Sequence, residues 1–498
     1  MNYIISIDQS TSATKALLFD ERCSVLAHSF IEHQQYYPRE GWVEHDAMEI
    51  YKNTVNSIRD LLDGRDLTQD NYTLAITNQR ETIVAWDRQT GLPIYHALVW
   101  QDTRGARLCQ EWRSMEGMEA LVSSRTGLKV DPSFCASKMR WLLDNIDGAR
   151  EKAERGDVLL GTIDTWLIWK LTEGRVFATD YTNASRTMLF DIHTFAWDDE
   201  LCQRLGVPRK ALAEPKANDV VYGETSVEGL FRSPIQIAGV LGDSHAALLG
   251  QMCFRPGTGK VTYGTGSSVM LNIGSACQKA PEGLVSSIAF SLFGQTSYAY
   301  EGNIYSTGAT LKWLADQLKF IQSPIDTDAI ASSVTSAGGV YFIPAFAGLG
   351  APWWQDKMRA AVLGMTFSTT KAHVVRAAVE SIAYQVTDLV RAMLAGTGVT
   401  IHEISADGGP THNHFLMQLQ ANLLGVDIVT AEVSDASALG AAVAAGLAIG
   451  LWKTEEEVAL LKRETGRTKP QENLARVQTE YEGWKRTVTA LAHATEMM

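Results

Sequence analysis

IQIAGVLGDSHAALLGQMCFRPGTGKVTYGTGSSVMLNIG, residues Ile235–Gly274, carries two signals that decide the fold. The apolar run from Ile235 ends in Gly242-Asp243-Ser244-His245, which predicts a buried strand with a carboxylate at its tip and a short helix from Ala246. The second part is β-rich and broken by Gly264-Thr265-Gly266. A glycine turn that also carries a hydroxyl suits a phosphate, because backbone N–H groups approach the oxygens without side chains in the way. Ordinary turn chemistry accounts for either piece taken singly. The case rests on their pairing with the N-terminus.

There Tyr3–Ile7 and Lys15–Phe19 read as strands, and Asp8-Gln9-Ser10-Thr11-Ser12-Ala13-Thr14 between them is too short for a crossover helix. A hairpin follows, with Val25–His33 as the third strand of a meander. Its turn is a plain Ser/Thr-rich turn or a phosphate loop. In the second case hydroxyl and N–H donors meet the phosphates, Lys15 offsets charge and Asp8 holds Mg²⁺ through water.

Composition sets the limits. A chain of 498 residues exceeds one core, so two domains are expected. The formal charge of -13 speaks against a general nucleic-acid or anionic-membrane surface, yet leaves ATP open, since a local cluster of N–H groups with one cation suffices. The scattered cysteines (Cys23, Cys109, Cys135, Cys202, Cys253 and Cys277) have no C-x-x-C spacing and read as reduced thiols. Without a signal-peptide layout or an apolar run of membrane length, a cytoplasmic protein is expected.

Between the two hairpins, strands repeatedly end in polar residues. Asp46–Leu62 is an amphipathic helix with Asp46 as its N-cap. The apolar strand Thr73–Ile76 runs into Asn78-Gln79-Arg80-Glu81, and Leu98-Val99-Trp100 into Gln101-Asp102. Strand ends are where α/β domains place their sites. Arg80 and Glu81 match the donors and acceptors of vicinal hydroxyls, and Trp100 is either core or a flat wall against a carbon skeleton. Helices are predicted over Asp131–Trp141 and Gly161–Leu171, with a polar loop over Thr179–Arg186. Beyond the central stretch, Tyr298–Asn303 is a strand, and Thr307-Gly308-Ala309-Thr310 opens a helix whose N-terminus suits an anion. The remainder predicts a helix over His373–Leu394, a strand at Glu403, a helix from Asn413, a strand over 426–433, a helix over Ser437–Gly450 and a charged helical cap over 455–498.

Residues 2–20 and 258–273 thus share one design: strand, hydroxyl-bearing turn, strand. Two related α/β domains that each present such a hairpin to a common cleft are what an actin-like (ribonuclease H-like) ATPase requires. Closure of that cleft excludes water, so that a bound hydroxyl receives the phosphoryl group. The domains are expected to meet between residues 245 and 246.

The chain also resembles, from end to end, the FGGY family of carbohydrate kinases, and its glycerol-kinase branch in particular. The resemblance rests on DQSTSATKALLFD, GWVEHDAMEIY, TNQRETIVAWD, VWQDTR, DPSFCASKMRW, TDYTNASRTMLFD, GDSHAALLGQ, TYGTGSS, PAFAGLGAPWW, HVVRAAVESIAYQ and DGGPTHNHFLMQ. It implies ATP and Mg²⁺, a polyol or sugar acceptor and a homodimer or larger assembly. It further implies Asp243 as catalytic base, Asp8 beside the metal with Asp243, and Thr11, Ser12 and Lys15 in the first phosphate loop. Gly264, Thr265 and Gly266 form the second loop. Gly308, Lys312, Gly409 and Asn413 fall at the nucleotide, and Arg80, Glu81, Trp100 and Asp243 at the polyol.

The departures from the branch point one way. Ser133 stands where it has a tyrosine, Ser268 where it has a phenylalanine and Ser244 where it has a glutamine. Ser10 replaces a glycine, Ala13 a serine and Lys312 a glutamine, while Cys135 departs from the N-terminal signature. Ser133, Ser244 and Ser268 widen the pocket and line it with hydroxyls, which implies a polyol or sugar of about four to six carbons, recognised through added hydroxyls. The alternatives are glycerol itself, with water filling the space, and a carbohydrate-binding regulator without turnover. A filament-type ATPase has no use for Arg80 and Glu81.

Overall fold

The computed structural model describes residues 1–498 other than 66, 68–70, 396, 432–434, 463, 472–473 and 498. Two mixed sheets organise it. In the first, β1 (Asn2–Gln9), β2 (Ala13–Phe19) and β3 (Val25–Glu32) form the predicted meander, with β4 (Asn71–Asn78) and β5 (Ile235–Gly242) parallel to β1 on its other side. The order is β3-β2-β1-β4-β5, closed by an edge strand at Val221–Thr225. In the second, β6 (Thr258–Tyr263), β7 (Ser267–Gly274) and β8 (Gln295–Ile304) are antiparallel, and β9 (Glu403–Asp407) and β10 (Asp427–Ala431) run parallel to β6. Their order, β8-β7-β6-β9-β10, repeats the first. The expected actin-like pair of domains is present.

Helix α1 (Ala47–Leu61) starts where its cap predicts, the Asp46 carboxylate accepting the Met48 and Glu49 N–H groups. The halves meet through α2 (Asp243–Gly250), which packs on α6 (Ala436–Ala448), a helix that also crosses β1, β4 and β5. Between them in the chain come α3 (Gly308–Asp316), α4 (Lys371–Leu394) and α5 (His414–Leu424). Two glycines allow the approach of α2 to α6: a Cβ on Gly440 would stand 1.8 Å from the Ala246 carbonyl oxygen, and one on Gly250 2.1 Å from that of Ala436.

Several expectations are corrected. Helix α2 begins at Asp243 rather than Ala246, because Gly242 already takes the extended N-cap conformation. Thr179–Arg186, expected as a polar loop, is a buried strand end (Ala178–Asp180) followed by a helical turn (Tyr181–Ala184). The helix predicted from Asp131 starts at Cys135, and that predicted from Gly161 starts at Ile163, after a strand over Val158–Thr162. The C-terminal segment includes a strand, Glu464–Thr468, that lengthens the second sheet beside β10. The polar composition of that edge strand gives no apolar alternation to read. Residues 432 and 433, placed in the strand by sequence, lie outside the described residues.

Candidate active site

Arg80 is the hub of the cleft. The chain turns sharply after β4, with Glu81 held at φ 62°. A non-glycine residue in that region marks a strained position that its surroundings must hold. The Arg80 guanidinium reaches across to β8, donating from Nη1 to Glu301 Oε2 at 3.0 Å and from Nη2 to Oε1 at 2.6 Å. Its Nε lies 3.1 Å from Asp243 Oδ1. Gly242 makes room for the crossing, since a Cβ there would sit 2.6 Å from Arg80 Cγ. Arg186 completes the chain of charges, with Nε on Glu81 Oε1 at 2.5 Å and Nη1 2.8 Å from Glu301 Oε2. Arg80 and Glu81, expected to face a diol, are thus already engaged with protein partners, which fixes their orientation. Sequence reasoning missed Glu301 and Arg186, although YAYEGN and TDYTNASR were both singled out.

The buried segment 179–186 braces both arms of this site. Thr182 Oγ1 accepts from the Gly242 N–H at 2.9 Å, immediately before Asp243. The Asn183 and Asn78 side-chain amides pair reciprocally at 2.9 and 3.1 Å, just before Arg80. Asp180 accepts from Thr182, Asn183 and the Asn218 amide. The polar residues of that stretch are buried because each has a partner.

Asp243 is the first residue of α2, its Oδ1 accepting the Ser244 N–H at 2.6 Å. Enclosure in the cleft raises its carboxyl above the ordinary range, and the Arg80 guanidinium opposes that rise. On β1 of the same sheet, burial pushes Asp8 up to about 7, against the pull of Lys15 and with reinforcement from Asp243 and Asp435. Lys15, expected to face phosphate, forms an ion pair with Asp435 of the other half at 2.6 Å. No group of three or more His, Cys, Asp or Glu side chains able to cage a metal occurs among the described residues. Mg²⁺ needs no such cage; it binds through one or two carboxylates and substrate phosphates, and a buried carboxylate raised as far as Asp8 gains from a cation.

The loops are held from behind. In the first, the Ser10 N–H closes on the Ala13 carbonyl at 2.9 Å, and Thr11 Oγ1 accepts the Trp100 indole N–H at 3.0 Å. Ser12 is exposed at the tip, and Trp100 keeps 39% of its surface open. In the second, Gly264 and Thr265 lie exposed, and a Cβ on Gly266 would stand 2.3 Å from the Ile304 carbonyl oxygen. Helix α3 was expected to offer its N-terminal donors to an anion. Its Gly308 and Ala309 N–H groups instead donate to the Gly264 and Thr265 carbonyls, both at 3.0 Å. The Asn413 amide is likewise engaged, capping α5 at Leu416 and donating to Thr327 Oγ1 at 3.0 Å. Lys312 and Gly409 are exposed, and open space surrounds the position of a Cβ on Gly409.

Of the three serines expected to line the pocket, Ser133 turns its hydroxyl onto Asp131 Oδ1 at 2.6 Å. Ser244 gives its N–H to Asp243. The Ser268 hydroxyl is buried without a hydrogen-bond partner among the described residues.

A repeated five-strand order around a carboxylate at a strand tip and two hairpin turns describes a fold and a site together. The N-terminal domain of the FGGY family of carbohydrate kinases matches residues 3–250, and its C-terminal domain matches residues 259–449. The chain belongs to this FGGY family. Relatives include a glycerol kinase of Shewanella piezotolerans, 46% identical over 98% of both chains, and glycerol kinase 2 of Thermotoga maritima, 44% identical over 98% of both. Among solved structures, Plasmodium falciparum glycerol kinase with ADP superposes with a TM-score of 0.94 at 35% identity, covering 99% of this chain and 98% of that one. A xylulose kinase of Lactobacillus acidophilus, at 21% identity and a TM-score of 0.90 over the whole of both chains, shares the fold. This FGGY chain is therefore a carbohydrate kinase, an enzyme that phosphorylates an alcohol group. No helix among its described residues is long and apolar enough to cross a membrane.

Proposed function

We propose that this FGGY kinase transfers the γ-phosphoryl group of ATP to a terminal hydroxyl of a small polyol, with glycerol the first candidate. The observation that carries the reading is the Asp243 carboxylate, raised by burial, oriented by Arg80 Nε at 3.1 Å and set in the cleft between the two hairpin turns. Asp243 takes the proton of the attacking hydroxyl as the bond from that oxygen to phosphorus forms and the bond to the leaving ADP oxygen breaks. The transition state is loose, so most of what Asp243 contributes is orientation of the hydroxyl. Arg80 and Glu81, fixed by Glu301 and Arg186, turn their remaining hydrogen-bonding capacity to the diol, and Trp100 walls the carbon chain. Mg²⁺, held near Asp8 and Asp243, supplies charge neutralisation for the phosphates. Thr11, Ser12, Gly264, Thr265 and Gly266 meet the phosphates; Gly308, Lys312, Gly409 and Asn413 border the nucleotide. We place the domain division between residues 245 and 246, and the enzyme in the cytoplasm as a homodimer.

The glycerol kinases at 43–46% identity support glycerol and lend no support to a longer substrate. A second reading, a polyol longer than glycerol, rests on one observation: the buried Ser268 hydroxyl, which has no hydrogen-bond partner among the described residues and could meet a further substrate hydroxyl. The deciding experiment measures ADP production with Mg-ATP against glycerol, tetritols, pentitols, hexitols and ketopentoses, with Asp243→Asn as blank. Glycerol as best substrate supports the first reading and a tetritol or longer the second. Turnover of none overturns both.

A further inference from the structure

Among the described residues, four cations stand around Asp243 and the two hairpins, and three are matched by carboxylates. Lys15 pairs with Asp435, Arg80 with Glu301 and Asp243, and Arg186 with Glu81 and Glu301. The fourth is Lys260 on β6, which is 2% exposed. Its ammonium donates to the Thr262 hydroxyl at 3.0 Å. Among the described residues, no carboxylate comes within ion-pair distance of it; Asp407, Asp243 and Glu301 act on it only from further away, as does the like charge of Arg80. A buried ammonium that has three donors and one neutral partner is costly, and folds avoid it unless an anion arrives to match it.

Strand register shows where that anion would be. Lys260 stands opposite Met270 and Met270 opposite Glu301, while Thr262 is paired with both Ser268 and Asp407. Paired residues share a face of the sheet, as do residues two apart along a strand. Lys260, Thr262, Ser268, Glu301 and Asp407 therefore line one face. Glu301 meets Arg80, so this face looks into the cleft. The bond to Thr262 bends the ammonium along β6 toward the turn at Gly264–Gly266.

We propose that Lys260 is a catalytic residue whose ammonium binds the oxygens of the phosphoryl group in transfer, an assignment that rests on the kinase reading above. The bond from the polyol oxygen to phosphorus forms, the bond from phosphorus to the ADP oxygen breaks, the hydroxyl proton passes to Asp243, and Lys260 exchanges no proton. Its positive charge meets the negative charge spread over the equatorial oxygens, the cation that Lys15 cannot supply while paired with Asp435.

The test compares wild type with Lys260→Met and Lys260→Arg in turnover, in MgADP binding, and in binding of MgADP with aluminium fluoride and glycerol, a mimic of the transferring group. We expect Lys260→Met to lower kcat about 100-fold or more and to weaken the aluminium fluoride complex by a similar factor, with MgADP affinity within about twofold. Lys260→Arg should recover at least about tenfold of the lost kcat, since it restores the charge. A Lys260→Met enzyme with kcat within about threefold of wild type overturns the assignment, and so does an equal loss of MgADP and of the fluoride complex, which marks a structural role. If Lys260→Met does not fold, Lys260→Gln, which keeps a donor for Thr262, is read by the same criteria. A wild type that phosphorylates no polyol refutes the proposed function, while the difference between the two nucleotide complexes still decides Lys260.

Discussion

Glu301→Gln is the sharpest test of how the cleft is assembled. Glu301 comes from the second sheet, is 2% exposed, and accepts from Arg80 at 2.6 and 3.0 Å with Arg186 2.8 Å away. Glutamine keeps the shape and one acceptor, but its amide nitrogen must face a guanidinium. One charge-assisted hydrogen bond is lost, worth about 1.5–3 kcal/mol, and two buried cations lose their shared counter-charge. At about 2–4 °C per kcal/mol for a domain of this size, the melting temperature should fall by about 3–12 °C. The functional loss should be larger for the polyol than for the nucleotide, because the Arg80 that Glu301 holds also meets Asp243. KM for the polyol should rise at least about tenfold and kcat should fall, with KM for ATP within about twofold. Coupled ADP-release kinetics with each substrate varied, together with a thermal melt, measure all of this. An enzyme with unchanged polyol KM and a melting temperature within about 1 °C would refute the view that Glu301 holds Arg80 in place.

Other predictions follow from the same contacts. Asp243 must be ionised to accept a proton and its carboxyl is raised by burial, so kcat/KM should fall as pH drops through a value above the free aspartate range of about 3.9. Arg80 opposes that rise, so Arg80→Met should move the acid limb to higher pH; a limb that stays or moves lower contradicts the assignment. Gly440→Ala places a methyl where only 1.8 Å separates it from the Ala246 carbonyl oxygen, and should destabilise the α2–α6 contact by about 1–3 kcal/mol in a denaturant titration. Ser133→Tyr with Ser268→Phe should raise kcat/KM for glycerol relative to longer polyols, and an unchanged ratio would dismiss the pocket argument.

The sequence by itself determined the architecture. Two short hairpins with hydroxyl-bearing turns, each followed by strands ending in polar residues, admit few topologies, and the alternation of apolar strand and polar tip was readable because it is local. Asp46, Asp243 and the glycine turns were legible for the same reason: a cap, a strand tip and a tight turn each depend on a few neighbouring residues. Partnership was not. Nothing in YAYEGN states that Glu301 lies between Arg80 and Arg186, residues 221 and 115 positions away along the chain. Lys15 sits beside a phosphate loop in sequence, but which anion it meets depended on Asp435, brought over by α6. Local chemistry marked the N-terminus of α3 as an anion site, yet the second loop folded back and took its donors. Charge pairing over such distances is decided when two sheets close on one another, because only then do desolvated groups have to find their counter-charges. The sequence supplied the ions, and the tertiary structure decided which of them are spent on each other and which, like Lys260, are left for the substrate.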